Sequence, residues 1–282
     1  TSTGEALARV GLPAGRQGEI ISVDSRQVYR GLDIGTEKIT AEEMRGVPHH
    51  LIDIRDVTET YSAGDFVADA TRLIAEISVR GKLSILVGGA HFYFDALTRG
   101  LPTNIAPNLQ LRKKLDALSS GEVFAHVKER DPRRADELDP QNRRRLIRAL
   151  EIIESLGSVP PRSKEVRPLY KYEVKRSDLF TIEWIVIDPT REELRARIDA
   201  RLTSALARGL IDEVRRVREY LANHNFRGRE SYGYAQADTR LNELGLEYKI
   251  IGEFLRGERD EASLLPTLSA KLWQYARRQK AW

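Results

Sequence analysis

Residues 18–29 read Gly18-Glu19-Ile20-Ile21-Ser22-Val23-Asp24-Ser25-Arg26-Gln27-Val28-Tyr29, and this stretch decides the fold. Its apolar, largely β-branched run, which follows a glycine, predicts a buried strand over residues 18–24. The run ends abruptly at four polar residues of different chemistry, Asp24 to Gln27. In an open α/β sheet, ligands bind beyond the carboxyl ends of the strands. We therefore expect these four side chains to lie at a binding site.

Two further apolar segments predict neighbouring strands, one at 51–54 and one at 84–87, and Gly88-Gly89 closes the second. Between them, residues 63–80 have helical spacing and follow Ser62, a good N-cap. A strand, a helix, a strand and a glycine turn in this order are typical of a parallel, doubly wound α/β sheet.

The pattern changes near residue 107, where basic helical segments replace the apolar strands. A strand is predicted again at 180–187, and after two helices a loop is predicted at 223–240. The sequence therefore predicts three parts. They are the first part of an α/β core at 1–106, a helical insertion at 107–178, and the second part of the core, with C-terminal helices, at 179–282.

Composition excludes several classes of protein. The 282 residues include no cysteine, which excludes disulfides, thiolate zinc sites and cysteine nucleophiles. The hydrophobic fraction is 41%, the charged fraction is 31%, and no apolar run is long enough to span a membrane. We expect a soluble, cytoplasmic protein without a membrane partner. The net charge of +4 and the clusters of arginine favour a polyanionic partner, although any single cluster is also compatible with a solvated helix face.

Seven blocks of sequence, in order, resemble the tRNA dimethylallyltransferases, also called tRNA isopentenyltransferases. The blocks lie at 24–36, 48–53, 61–66, 86–93, 139–151, 197–214 and 274–279. The resemblance covers nearly the whole chain. It implies a P-loop NTPase-like parallel sheet with a helical insertion that helps to clamp the anticodon stem-loop of tRNA. The implied reaction moves a dimethylallyl group from dimethylallyl diphosphate to the exocyclic N6 of the adenosine on the 3′ side of the anticodon, with Mg²⁺, and we expect a monomer.

The resemblance also implies roles for individual residues. Asp24 matches the general base, and Arg201 matches an arginine that grips the diphosphate. The P-loop remnant, which would also bind the diphosphate, consists of Thr1, Ser2, Thr3 and Gly4. The implied tRNA contacts are Ser25, Arg26, Gln27, Ala90, Arg112, Arg144, Arg145, Leu146, Ile147, Arg148, Tyr248 and Lys249. Ser25 and Gln27 are expected to hydrogen-bond the target adenine, since glutamine reads adenine well. The ligands of the metal remain unknown.

Each role has a structural alternative. Asp24 could simply cap the turn that follows it, and the arginines of 144–148 could form an ordinary basic helix face. Arg201 could form a surface ion pair with an acid such as Asp199 or Glu213. These alternatives remain open at the level of sequence.

The chain departs from the family pattern at two places. Glu5 and Ala6 stand where a P-loop has its lysine and its Mg²⁺-binding hydroxyl, and Ala90-His91 replaces the usual Thr-Gly. A competing hypothesis is therefore a catalytically impaired tRNA-binding homologue, or a fragment, that lacks the P-loop lysine. A small-molecule kinase and an adenylate isopentenyltransferase are weaker alternatives, because neither needs a basic helical insertion.

Overall fold

The computed structural model describes residues 17–101, 105–160, 181–223 and 233–280. The chain divides into two compact units. The first consists of Thr1–Leu97 and Ile182–Trp282, and the second of Thr98–Thr181. The insertion predicted at 107–178 falls within the second unit.

The first unit is built on strand β1, Gly18–Val23, in which every residue is buried. Strands β2, His49–His50, and β3, Leu83–Gly88, pair with it in parallel on either side. Ile20 of the central strand lies opposite His49 in β2 and Ile85 in β3. The parallel sheet, the predicted first strand and the predicted glycine turn after β3 are thus confirmed.

Glu19 is a charged residue inside the central strand, with only 3% of its surface exposed. Arg80 and His50 lie 2.7 Å from its carboxylate, and Lys82 lies 3.1 Å away. The hydrogen bond from Arg80, supported by those from His50 and Lys82, outweighs desolvation and lowers the pKa of Glu19 to about 2. The carboxylate therefore ties β1 to β2 and to the segment that leads into β3.

The described parts of the first unit contain eight helices. Two begin with a reciprocal capping box, α1 (Ala41–Met44) after Thr40 and α2 (Ala63–Val79) after Ser62, the predicted N-cap. The others are α3 (His91–Arg99), which extends two residues past the unit boundary, α8 (Arg191–Ala207), α9 (Leu210–Asn223), α10 (Gly233–Leu244), α11 (Leu246–Leu255) and α12 (Leu264–Lys280).

The described residues of the second unit form a small helical domain with its own core. Its helices are α4 (Leu109–Asp116), α5 (Ser120–Arg130), α6 (Pro132–Asp136) and α7 (Arg143–Leu156). Apolar side chains from all four pack together, and Val123, Val127 and Leu146 are fully buried. These four helices agree with the prediction that helical segments replace the strands after residue 107.

Three predicted segments are wrong. The strand at 51–54 is displaced to 49–50, because Leu51 and Asp53 have φ of 63° and 55°, which an extended strand does not allow. Of the strand predicted at 180–187, residue 180 lies outside the described residues, and 181–187 are not a strand, since no described segment pairs with them and Val186 is 81% exposed. The loop predicted at 223–240 gives way to α10 from Gly233 onward.

Candidate functional site

Asp24 lies directly after β1 and organises the turn that follows. Its Oδ1 accepts hydrogen bonds from the backbone N–H of Arg26 at 2.7 Å and of Gln27 at 3.2 Å. No described residue donates a hydrogen bond to Oδ2, and the side chain is only partly buried. The capping role and the role of proton acceptor are therefore compatible, because the cap uses one oxygen and no described residue donates a hydrogen bond to the other.

Gln27 lies in the turn after β1, as predicted, but its side chain is bonded within the protein. Its side-chain Nε2 donates to the carbonyl oxygens of Thr36 at 3.1 Å and Glu37 at 3.3 Å, and its Oε1 accepts from Ser22 Oγ at 3.2 Å. Both ends of the amide are thus bonded within the protein. Gln27 holds the 36–37 loop against β1, and the structure gives no support to the prediction that it binds adenine. Ser25 remains partly exposed at the turn.

The end of β3 lies close against the end of β1. A Cβ at Gly88 would overlap the carbonyl oxygen of Val23, so only glycine allows this approach. The backbone N–H of Ala90 donates to the same oxygen at 3.2 Å. From α12, Gln279 Nε2 donates to the carbonyl oxygen of Gly89 at 3.1 Å. Ala90, a predicted tRNA contact, therefore lies beside the Asp24 turn.

The loop at 33–36 is held by a buried carboxylate that sequence reasoning missed. Glu213 of α9 is 2% exposed and accepts the backbone N–H groups of Asp33 at 2.9 Å, Ile34 at 2.7 Å and Gly35 at 3.0 Å. Tyr248 of α11 donates its hydroxyl to the same carboxylate at 2.8 Å. Burial, together with the charge of Glu213, raises the pKa of Tyr248 well above its usual range.

This position corrects the role predicted for Tyr248. Its side chain is fully buried, and its ring lies so close to Gly35 that a Cβ there would be 2.8 Å from the hydroxyl. Tyr248 therefore has no surface to offer to RNA, and its hydroxyl belongs to Glu213. Lys249, the next residue, is exposed on α11 and remains a predicted tRNA contact.

Arg201 of α8 forms an ion pair, but with neither of the partners proposed from sequence. Its Nη2 lies 3.1 Å from Oε1 of Glu247 in α11. Asp199 instead pairs with Arg195 at 3.4 Å, and Glu213 is occupied by the 33–35 loop. Burial raises the pKa of Glu247, against the opposing effect of the Arg201 charge.

The aromatic side chain of Tyr275 lies within the electrostatic influence of Asp24, Arg26 and Glu247. Tyr275 of α12 is 50% exposed, and burial of its hydroxyl raises its pKa, with Asp24 and Glu247 acting in the same direction and Arg26 opposing them. The end of β1 and helices α8, α11 and α12 thus bring together Asp24, Arg26, Arg201, Glu247 and Tyr275. Tyr275 falls inside the 274–279 sequence block, which was the available signal for it.

In the second unit, two predicted tRNA contacts share one buried carboxylate. Glu151 is 2% exposed, and it accepts from Arg112 Nε at 2.6 Å and from Arg148 Nη1 at 3.0 Å. Burial opposes ionisation of Glu151, yet these hydrogen bonds, with one from the Asn108 N–H, hold its pKa below the usual range. Arg112 and Arg148 are therefore held by the unit itself.

The remaining residues of α7 divide between core and surface. Leu146 is fully buried in the core of the second unit and Ile147 packs against that core, so the prediction that Leu146 contacts tRNA is not supported. Arg144 and Arg145 are exposed at the start of the helix. They remain the residues of this block best placed to meet an RNA backbone.

Other predicted features lie outside the described residues or find no counterpart within them. Thr1, Ser2, Thr3 and Gly4, and with them Glu5 and Ala6, fall outside the described ranges. Across residues 17–101, 105–160, 181–223 and 233–280, no three acidic or histidine side chains converge as a metal site. In the same ranges, no helix is both long enough and apolar enough to cross a membrane.

Comparison with known proteins places this geometry in a family. A sequence model described as IPP transferase matches residues 27–282. The chain is 36% identical to the tRNA dimethylallyltransferase of Thermomicrobium roseum, over the whole of this chain and 80% of that protein. It is 38% identical to the tRNA dimethylallyltransferase of a Roseiflexus species, over the whole chain and 87% of the relative.

Solved structures of similar fold lead to the same family. A tRNA isopentenylpyrophosphate transferase from Staphylococcus epidermidis matches with a TM-score of 0.60 and 28% identity, over the whole of this chain and 86% of that chain. A eukaryotic dimethylallyltransferase captured acting on tRNA matches with a TM-score of 0.67 and 26% identity, over the whole of this chain and 67% of that chain. By sequence and by fold, the chain belongs to the IPP transferase family.

Proposed function

We propose that this protein is a tRNA dimethylallyltransferase, which transfers a dimethylallyl group from dimethylallyl diphosphate to N6 of the adenosine on the 3′ side of the anticodon. The observation that carries the proposal is the Asp24 carboxylate. One of its oxygens is fixed by the backbone of the following turn, no described residue donates a hydrogen bond to the other, and the charge of Asp24 acts on Glu247 and Tyr275. The relatives named above support the substrate and the type of reaction.

Asp24 acts on the amine. The exocyclic nitrogen of adenine is a poor nucleophile because its lone pair is delocalised into the ring. In the reaction, the bond between N6 and C1 of the dimethylallyl group forms, the bond between C1 and the diphosphate oxygen breaks, and N6 gives up a proton. Asp24 Oδ2 accepts that proton. General base catalysis of this kind raises the rate about 10²–10⁴-fold. The fixed Oδ1 keeps the acceptor oriented without further reorganisation.

The diphosphate is released with negative charge that needs cationic partners. Arg201 offers a side chain that is 41% exposed, and Arg26 lies nearby. The residues Thr1 to Gly4 are proposed as further diphosphate ligands. Mg²⁺ is proposed to arrive with the substrate, because this ion is usually held by substrate phosphates and only one or two carboxylates.

The tRNA partner fits the charge of the helical unit. Arg144 and Arg145 present positive charge at the start of α7, and Arg112 and Arg148 add to it beside Glu151. A base in an anticodon loop must leave its stack before it can be alkylated, and such loops allow bases to splay out. We propose that these arginines bind the backbone of the anticodon stem-loop, and that the enzyme works as a cytoplasmic monomer.

The test uses transfer of radiolabel from dimethylallyl diphosphate to a tRNA with adenosine 3′ of its anticodon, in the presence of Mg²⁺. Asp24→Asn keeps an oxygen for the turn but cannot accept the proton. We expect its kcat to fall about 10²-fold or more, with tRNA affinity unchanged. The matched control is Asp56→Asn, since Asp56 Oδ1 caps Thr58 N in the same way at 2.9 Å.

Two results would contradict the proposal. Normal tRNA binding without any label transfer by the wild-type chain would favour the impaired homologue. Equal rates for Asp24→Asn and the control would remove Asp24 from the chemistry while leaving the family assignment intact.

A further inference from the structure

Glu247 lies beneath Arg201 rather than beside it. The carboxylate side chain is 13% exposed, whereas the arginine side chain is 41% exposed. Glu247 belongs to the first turn of α11, so its backbone is fixed by the helix. In this ion pair the acidic side chain is therefore the more buried partner and the basic side chain the more exposed one.

Arg26 approaches the same point from the end of β1. A Cβ placed on Gly245 would lie 3.9 Å from Arg26 Nε and 3.9 Å from Glu247 Oε2. The positive charge of Arg26 favours ionisation of Glu247, whereas the charge of Asp24 disfavours it. Glu247 is therefore paired with Arg201 and lies within the electrostatic influence of Arg26, an arginine from a different part of the unit.

A carboxylate among arginines can act in two ways toward an anionic ligand. It can compete with the anion for the cations, or it can orient a cation for the anion. Competition requires that the carboxylate move away when the anion arrives. The cover over Glu247 and its place in the helix oppose such a movement. Among the described residues Arg201 makes one hydrogen bond, through Nη2, and these residues leave the other N–H donors of its planar group available for an anion.

We propose that Glu247 is a positioning residue that orients the Arg201 guanidinium toward the diphosphate of the prenyl donor. This inference rests on the proposed function, in which Arg201 binds the diphosphate. The single bond to Oε1 holds a long, rotamer-rich side chain in one orientation before the substrate arrives, and the bidentate geometry of arginine suits a phosphate group. Neither the family match nor the sequence motifs assign this role to Glu247.

The experiment measures the Kd of inorganic diphosphate with Mg²⁺ by calorimetry on the full chain, and the KM for dimethylallyl diphosphate at saturating tRNA. Glu247→Ala removes the acceptor, and we expect both constants to rise about tenfold, with a smaller change in kcat. Glu247→Gln keeps an oxygen for Arg201 and should remain within about threefold of wild type. Glu253→Ala is the matched control, because Glu253 lies on the same helix as Glu247 and pairs with Arg259, which follows the helix, at 2.8 Å.

Arg201→Ala separates this inference from the proposed function. If Arg201→Ala leaves the Kd unchanged, the diphosphate assignment of Arg201 fails and this inference fails with it. If Arg201→Ala weakens binding but Glu247→Ala does not, only the role of Glu247 is refuted. Tighter binding by both Glu247→Ala and Glu247→Gln would show competition and would overturn the proposal. Glu247→Asp, which withdraws the carboxylate by one methylene, should weaken binding like Glu247→Ala and serves if that variant unfolds.

Discussion

Replacement of Glu213 tests whether this buried carboxylate holds the 33–35 loop, and through it the candidate site, in place. The carboxylate divides its hydrogen bonds evenly, with Oε2 accepting the N–H groups of Asp33 and Ile34, and Oε1 accepting the N–H of Gly35 and the Tyr248 hydroxyl. Glu213→Ala leaves all four donors without this acceptor. An unmet buried donor costs about 1–3 kcal/mol, and part of that is recovered because no charge needs to be desolvated. We expect a loss of about 3–5 kcal/mol, a large fraction of the stability of a domain.

Glu213→Gln is nearly isosteric and yields a sharper expectation. The amide keeps one oxygen and therefore two of the four bonds, while its NH₂ group faces the two donors of the other pair. We expect a loss of about 2–3 kcal/mol, against about 1 kcal/mol for Tyr248→Phe, which removes a single bond.

The assay is urea unfolding of the full chain, followed by tryptophan fluorescence. The control is Glu219→Ala, an exposed position on the same helix, which should change stability by less than about 0.5 kcal/mol. A loss below about 1 kcal/mol for Glu213→Ala, or wild-type stability for Glu213→Gln, would refute the view that the carboxylate holds the loop. Gln27 bonds to the carbonyl oxygens of the adjoining residues 36 and 37, so the loss of stability should be accompanied by lower transfer activity.

Two further predictions concern acid stability and RNA binding. Because the folded pKa of Glu19 is lowered from 4.5 to about 2, its contribution of about 3 kcal/mol is fully present above pH 4.5 and is lost as the pH falls toward 2. The unfolding midpoint of Glu19→Gln should therefore vary less between pH 5 and pH 3 than that of wild type, and parallel curves would contradict the assignment. Replacement of Arg144 and Arg145 by alanine should lower the slope of log affinity for tRNA against log salt by about 0.7–0.9 for each phosphate that is no longer neutralised. Filter binding over a salt series checks this, with Arg72→Ala, an exposed ion-paired residue of α2, as control.

Local signals were sufficient for much of the fold. The capping boxes that begin at Thr40 and Ser62 each span four consecutive residues, so the sequence alone locates the starts of these helices. The segment at 181–187 has the composition of a strand, but a strand also requires a neighbour, and pairing is decided by distant parts of the chain. Leu51 and Asp53 adopt left-handed backbone conformations that their side chains do not signal.

The candidate site also combines features set by the local sequence with features set by distant parts of the chain. The turn at Asp24 is local, since the carboxylate bonds to residues two and three positions further on, and the sequence located it correctly. The partner of Arg201 is 46 positions away and the partner of Tyr248 is 35 positions away. Both residues were chosen for their chemistry, but only the packing of the helices decides whether that chemistry faces solvent or another side chain. The polar group of Tyr248 therefore faces the core, although it was predicted to face RNA.

Two covered glutamates show how a basic chain can position arginines at its candidate sites. Glu151 holds Arg112 and Arg148, and Glu247 holds Arg201, whereas the buried Glu213 holds backbone donors instead of a cation. An arginine that already donates some of its N–H groups to a carboxylate loses less side-chain entropy when its remaining N–H groups bind a phosphate. The same arrangement also reduces the charge presented to the ligand, because Glu151 cancels one of the two charges that it holds. The number of arginines in the insertion therefore overstates the salt dependence of tRNA binding, and removing Glu151 should increase that dependence as long as the unit remains folded.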